Sequence, residues 1–243
     1  MHPLDNARRV GIITPPANPV VEPELHALLP DTLAMYSARL PVLPGDLQAR
    51  NRAYGEHYVP AMRSFGKLKL EAFYIGMTGV SYRKGMAADR AWNDAMSREI
   101  GVPVATASMA IVSALAQLGI RRLCLVSPYP KWLTDESVAY WVSAGLELAQ
   151  VVSVADEMHP YDLDSQAVNA AMARVNAPAD AAVLLTGTGL ITLPTVLEWQ
   201  SRFAVPVLSS NLCGAWFLSR ALGVAASPAL AAATPALAAT LQR

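Results

Sequence analysis

Residues 76–80 read GMTGV, and residues 187–190 read GTGL. An apolar run leads into each, FYI at 73–75 and AAVLL at 181–185. Such a run halting at Gly and Thr is the pattern of a buried strand that delivers the chain into a tight turn ahead of a helix. The likeness extends outward. RVGIIT (9–14) ends on Thr14-Pro15 before the first copy, and RLCLVS (122–127) ends on Ser127-Pro128 before the second. GVPVATAS (101–108) and AVPVLSSN (204–211) follow them, each leading into a helical pattern. Three landmarks in one order imply duplicated halves, dividing near residues 107–120.

Strands are expected at 9–14, 72–77, 102–106, 122–127, 181–186 and 205–210, apolar throughout as in parallel sheets covered on both faces. Helical patterns lie between them near 49–68, 86–99, 107–118, 132–149, 164–176, 193–203 and 211–222. This alternation predicts an α/β fold. Two pseudo-symmetric Rossmann-like lobes are expected, each a parallel sheet flanked by helices, with the site in the cleft between them. The expected N-terminal lobe is 1–115, completed by the C-terminal helix region 211–243; the expected C-terminal lobe is 116–210. The Ala/Pro-rich tail ASPALAAATPALAATLQR leaves open a helical extension or a contact between copies of the chain, so a homo-oligomer stays on the table.

Composition removes several classes of partner. Of 243 residues 53% are hydrophobic and 16% charged, enough apolar content for a sizeable core. Lys plus Arg equals Asp plus Glu at 19 each, so no basic surface advertises nucleic acid or an anionic membrane. The start, MHPLDNARRVGII, is not a secretory signal, and no apolar run approaches the roughly 20 residues of a membrane span. Cys124 and Cys213 lack metal-ligand spacing. A cytoplasmic protein without a metal is the expectation.

Ligands of open parallel sheets bind beyond the carboxyl ends of the strands, where all the repeated Thr, Ser, Gly and Pro landmarks fall. A glycine turn before a helix exposes amides at the positive end of the helix dipole, and a threonine hydroxyl adds a donor. Two such cradles facing each other suit a carboxylate ligand. The plainer alternative is that small residues only make tight turns. GTGLIT is no dinucleotide fingerprint, since its third glycine is missing.

GIITPPANPVVEPEL, GMTGVSYRKG, LVSPY, LLTGTGLIT and VPVLSSN, in this order over about residues 9–222, resemble the aspartate/glutamate racemase superfamily, in its arylmalonate decarboxylase and maleate cis-trans isomerase branch. The resemblance implies two pseudo-symmetric α/β halves around a small site, small carboxylic acid substrates, and no cofactor or metal. It also implies that a cysteine on one or both walls exchanges a proton with the substrate carbon or adds to it. The first cysteine position matches Met77 and the second Gly187; neither is a thiol. Thr78 and Gly79 match donors on the first wall, and Gly187, Thr188 and Gly189 match backbone donors on the second. Tyr129 matches a tyrosine that touches a substrate carboxylate. Pro15 and Asn18 match pocket-lining residues, and Asn211 is counted with the binding set.

Three residues are candidates to carry the proton instead. Tyr129 is one, besides its anchoring role. Cys213 is another, at the start of the last helix, where the dipole would lower a thiol pKa unless the residue is simply packed. His159, in the polar loop DEMHPYD, is the third, a general acid or a solvated loop residue. Cys124 reads as core, and Trp132, Trp199 and Trp216 as packing. Glu22, Glu24, His26 and His57 read as solvated. Tyr82 is left between cleft and solvent, with Arg83 and Lys84 as anion-attracting neighbours.

The reading is a cofactor-independent enzyme, a decarboxylase/lyase or an isomerase, acting on a small carboxylic acid through an enediolate-type intermediate. The alternatives are a non-catalytic carboxylate-binding protein or inactive paralogue, and a hydrolase using an activated water.

Overall fold

Every apolar run named above becomes a strand, and two less apolar segments join them. The computed structural model describes residues 7–155 and 164–241. The first sheet holds β1 (Arg8–Thr14), β2 (Leu33–Arg39), β3 (Ala72–Ile75) and β4 (Val104–Thr106), in the order β2-β1-β3-β4. The second holds β5 (Arg122–Ser127), β6 (Glu147–Ser153), β7 (Ala182–Leu185) and β8 (Val207–Ser209), in the order β6-β5-β7-β8. Every pairing in both sheets is parallel. The second sheet thus repeats the first strand for strand, as the duplicated landmarks imply.

The strands absent from the sequence reading are β2 and β6, and the reason is their place. Both lie at a sheet edge that is left largely exposed or half-exposed, unlike the opposite edges β4 and β8, whose residues are all buried. Their sequences, LAMYSAR and ELAQVVS, therefore carry exposed or half-exposed polar residues instead of a buried apolar run. The helix expected at 132–149 is shortened for the same reason. It ends at Ser143, Gly145 turns the chain with φ +81°, and the rest enters β6.

The helices are α1 (Val21–Leu28), α2 (Leu47–Ala53), α3 (Tyr58–Arg63), α4 (Gly79–Lys84), α5 (Met86–Ile100), α6 (Ala107–Gln117), α7 (Lys131–Ser143), α8 (Ser165–Met172), α9 (Leu193–Gln200), α10 (Ser210–Ala221), α11 (Pro228–Ala233) and α12 (Pro235–Ala238). The helix expected over 49–68 is instead α2, a 3₁₀ turn at Tyr54–His57, and α3. Pro60 explains the restart: without an N–H, it fits only a first turn, and it stands third in α3. α10 packs on α6 and α1 and reaches β3. It is buried nearly all round, with Trp216, Leu212 and Leu218 inaccessible. The tail forms the helices α11 and α12 and inserts Leu230 and Leu237 into the core. Among the described residues, no helix is long and apolar enough to cross a membrane.

Candidate active site

In each sheet the chain runs one way from the first strand to the edge and the other way afterwards, so the connections diverge between β1 and β3 and between β5 and β7. A crevice opens at such a switch point, at the carboxyl ends of the strands. Pro15 and Asn18 follow β1, and Met77, Thr78 and Gly79 follow β3. Tyr129 follows β5, and Gly187, Thr188 and Gly189 follow β7. Thus the expected binding residues on these turns occupy both switch points.

The two switch points meet. The Thr188 hydroxyl donates to the Gly76 carbonyl across 2.7 Å, tying the second turn to the first. Asn18 donates through Nδ2 to the same hydroxyl at 3.3 Å, while its Oδ1 accepts from the amides of Val20 and Val21 and shapes the entry to α1. The hydroxyls of Thr78 and Tyr129 are hydrogen-bonded to each other, a third bond between the lobes. Thr78 is the N-cap of α4, and the first amides of that helix have no acceptor within it. All these residues are buried; Thr78 is 1% exposed and Tyr129 9%.

Gly187 has φ +92°, a conformation that favours glycine. A Cβ built there would lie 2.6 Å from Cγ of Pro128 and 3.5 Å from the Tyr129 hydroxyl. The pyrrolidine ring fills the space that a side chain at 187 would enter, and the phenol stands at its rim. On the first wall Met77 keeps its thioether, 8% exposed.

Behind Tyr129 lies an aromatic stack. Tyr82 meets the rings of Tyr129, Tyr140 and Trp141 edge-on at 6.1, 5.5 and 5.6 Å. Tyr140 donates to the buried Asp89 carboxylate at 2.8 Å, which also accepts from Thr106 Oγ1 at 3.0 Å. Desolvation raises the Asp89 pKa above the ordinary value, with the bonds from Tyr140 and Thr106 pulling the other way. Tyr82 is thus buried and lines no solvent. Arg83 pairs with Glu136 at 3.5 Å, and Lys84 Nζ lies over the Tyr58 and Trp92 rings at 5.9 and 5.3 Å.

The residue that the sequence reading misplaced is Glu24. Expected in solvent, it is 6% exposed. Its Oε1 accepts from the amides of Thr192 and Leu193, each at 2.6 Å, and its Oε2 from the Thr192 hydroxyl at 2.9 Å and Asn211 Nδ2 at 2.8 Å. Asn211 also donates to the Thr188 carbonyl at 3.1 Å. Desolvation raises the Glu24 pKa, and these donors partly oppose the shift. A clue was present: helical spacing puts Glu24 on the same face as Val21, Leu25 and Leu28, which are buried with it.

Cys213 does not meet the expectation of an activated thiol. It is the fourth residue of α10, wholly buried, and burial pushes its pKa up, the reverse of the expected dipole effect. Cys124 lies in the core within β5, and both cysteines are free. His159 falls outside the described residues. Glu22 pairs with Arg39, His26 is exposed, and His57 is half-buried. Trp216 is core, while Trp132 and Trp199 pack partly buried against it. Among the described residues, no cluster of three His, Cys, Asp or Glu side chains is placed to hold a metal ion.

Comparison with known proteins agrees with this geometry. The chain is 28% identical over 227 residues to arylmalonate decarboxylase of Bordetella bronchiseptica, covering 88% of this chain and 90% of that one. It is also 28% identical over 229 residues to maleate isomerase of Nocardia farcinica, with the same coverage. Its fold superposes on Nocardia farcinica maleate cis-trans isomerase, solved with a covalently bound succinylcysteine intermediate, with a TM-score of 0.84 and 21% identity over 96% of this chain and 99% of that one. A liganded doubly substituted arylmalonate decarboxylase gives a TM-score of 0.81 at 26% identity, covering 92% and 97%. The family model described as arylmalonate decarboxylase matches residues 10–233. With that match running from β1 to α11, the chain belongs to the arylmalonate decarboxylase family.

Proposed function

We propose that the protein is a cofactor-independent lyase or isomerase of small carboxylic acids, and that Tyr129 supplies the proton which a thiol supplies in relatives. One observation carries the reading: the Tyr129 hydroxyl lies 3.5 Å from where a Cβ of residue 187 would stand, while Pro128 closes that place to any side chain. Family membership supports the reaction class, since the relatives are named as a decarboxylase and as isomerases.

On a malonate-type substrate, the bond between the central carbon and one carboxylate breaks and carbon dioxide leaves. The bonding pair moves into an enediolate on the remaining carboxylate. Amides at 78–79 and 187–189 and the Thr78 hydroxyl stabilise that charge as preorganised dipoles. Tyr129 then gives its proton to the carbon and is reprotonated from water, leaving a monocarboxylate. Positioned proton transfer contributes about 10²–10⁴-fold. A cytoplasmic location goes with this reading and agrees with the two free cysteines.

The test is incubation with phenylmalonate and with maleate in heavy water, followed by NMR. The expected result is carbon dioxide release with deuterium at the α-carbon, or isomerisation. Whichever activity is found persists in Cys213→Ser and falls at least about 100-fold in Tyr129→Phe. Tight binding of both acids with neither reaction would instead make the protein a carboxylate-binding member of the family. An unimpaired Tyr129→Phe variant removes the phenol from the mechanism.

A further inference from the structure

We infer that Glu24 is a positioning residue, a buried carboxylate from the first lobe that sets the 187–193 segment of the second lobe and through it the second cradle. Its relevance to ligand binding rests on the proposed reading of the site; its hold on the segment does not.

Four donors converge on Glu24, and three of them, the Thr192 amide, the Thr192 hydroxyl and the Leu193 amide, come from the start of α9. That start is otherwise bare: Thr192, its N-cap, makes no side-chain cap bond of its own, and Pro194 follows in the first turn. A carboxylate there does the work of a cap and complements the helix dipole, although it arrives from 168 positions away in sequence. It fixes one end of the turn that begins at Gly187.

The fourth donor fixes the other end. Asn211 Nδ2 bridges Glu24 Oε2 and the Thr188 carbonyl, so the carboxylate dictates which way the Asn211 amide faces. Its Oδ1 is left buried with no hydrogen-bond partner, and Asn211 is 1% exposed. Flipping the amide would aim Oδ1 at the Thr188 carbonyl, where two acceptors would meet and no bond forms. An acceptor-only group at position 24 forbids this, because Oε2 would then face Oδ1. Burial of a carboxylate is costly, and here it is compensated by fixing three segments, 20–24, 187–193 and 211, in one arrangement.

Glu24→Gln separates the two roles. Its carbonyl still accepts from the α9 amides, but its NH₂ group faces the Asn211 NH₂ and turns it away from Thr188. Hydrogen exchange by mass spectrometry on the full chain reads the segment directly. Exchange over 187–193 is expected to rise about 10-fold or more in Glu24→Ala and less in Glu24→Gln, with β1 and β5 unchanged in both. Phenylmalonate turnover reads the cradle: KM is expected to rise about 10-fold in both variants, with kcat falling less. Unchanged exchange over 187–193 in the folded variants overturns the inference. Faster exchange with an unaltered KM reduces Glu24 to a structural cap and overturns it as well. If the wild-type chain neither binds nor converts phenylmalonate or maleate, the proposed function fails, and the exchange measurement alone decides for or against Glu24. Should Glu24→Ala not fold, Glu24→Gln carries both readouts.

Discussion

The turns GMTGV and GTGL start alike and finish differently. After β3 the chain passes from Met77 and Thr78 directly into α4 at Gly79, so the first cradle is the head of a helix. After β7 it makes a closed turn, with the Leu190 amide bonded to the Gly187 carbonyl at 3.1 Å, and reaches α9 only at Leu193. The first turn leads straight into its own helix and receives from the opposite lobe two hydroxyls, of Thr188 on the Gly76 carbonyl and of Tyr129 on Thr78. The second turn stands apart from its helix and receives Asn18 on the Thr188 hydroxyl and the Glu24 carboxylate on the start of α9. Only the second wall thus takes its helix cap from the other lobe, and a perturbation at Glu24 should reach it directly.

The sharpest break of this comparison is chemical. Tyr129→Phe keeps the stack with Tyr82 but removes the hydroxyl shared with Thr78, and turnover should fall by about 10²-fold or more. Next is Gly187→Ala, where the new Cβ meets Pro128 at a positive φ. The expected loss is about 2–4 kcal/mol in urea unfolding, against about 1–2 kcal/mol for Gly85→Ala, which shares the positive φ but has nothing crowding it. Thr188→Val keeps the shape but orphans the Gly76 carbonyl and Asn18 Nδ2; about 1–3 kcal/mol should be lost.

The pH dependence of stability is subtler. Glu24 has its folded pKa above its ordinary value of 4.5, so the native state takes up the proton first. Its contribution is greatest below 4.5 and is lost as pH rises through the folded pKa. Unfolding free energies measured from pH 4 upward should therefore decline less steeply in Glu24→Gln than in wild type. The smallest effect belongs to the solvent-facing pair Lys131–Asp135, at 2.7 Å on α7. Lys131→Ala should change stability by no more than about 0.5 kcal/mol.

Buried strands and strand-end turns were legible in the sequence because burial on both faces leaves an uninterrupted apolar run. RVGIIT and AAVLL announce themselves in this way. Edge strands β2 and β6 do not, because Ser37, Arg39, Glu147 and Gln150 keep the polarity that their position permits. The candidate binding residues on those turns could be placed from the sequence as well, since they sit at fixed offsets from strand ends. Glu24 was not, because no local pattern reveals that a carboxylate will be met by amides 168 positions further on. Cys213 misled through its proximity to a helix start; the sequence does not say that α10 would be enclosed on nearly every side. Pro128 passed as a landmark, and its neighbour across the crevice became visible only once β5 and β7 were paired.

The pyrrolidine of Pro128 lodged against Gly187 also constrains how this protein can change. Replacing the ring at 128 would remove the crowding that a larger residue at 187 meets, while the positive φ at 187 would have to relax in either order. A laboratory selection for thiol-dependent catalysts from this scaffold should therefore randomise positions 128 and 187 together.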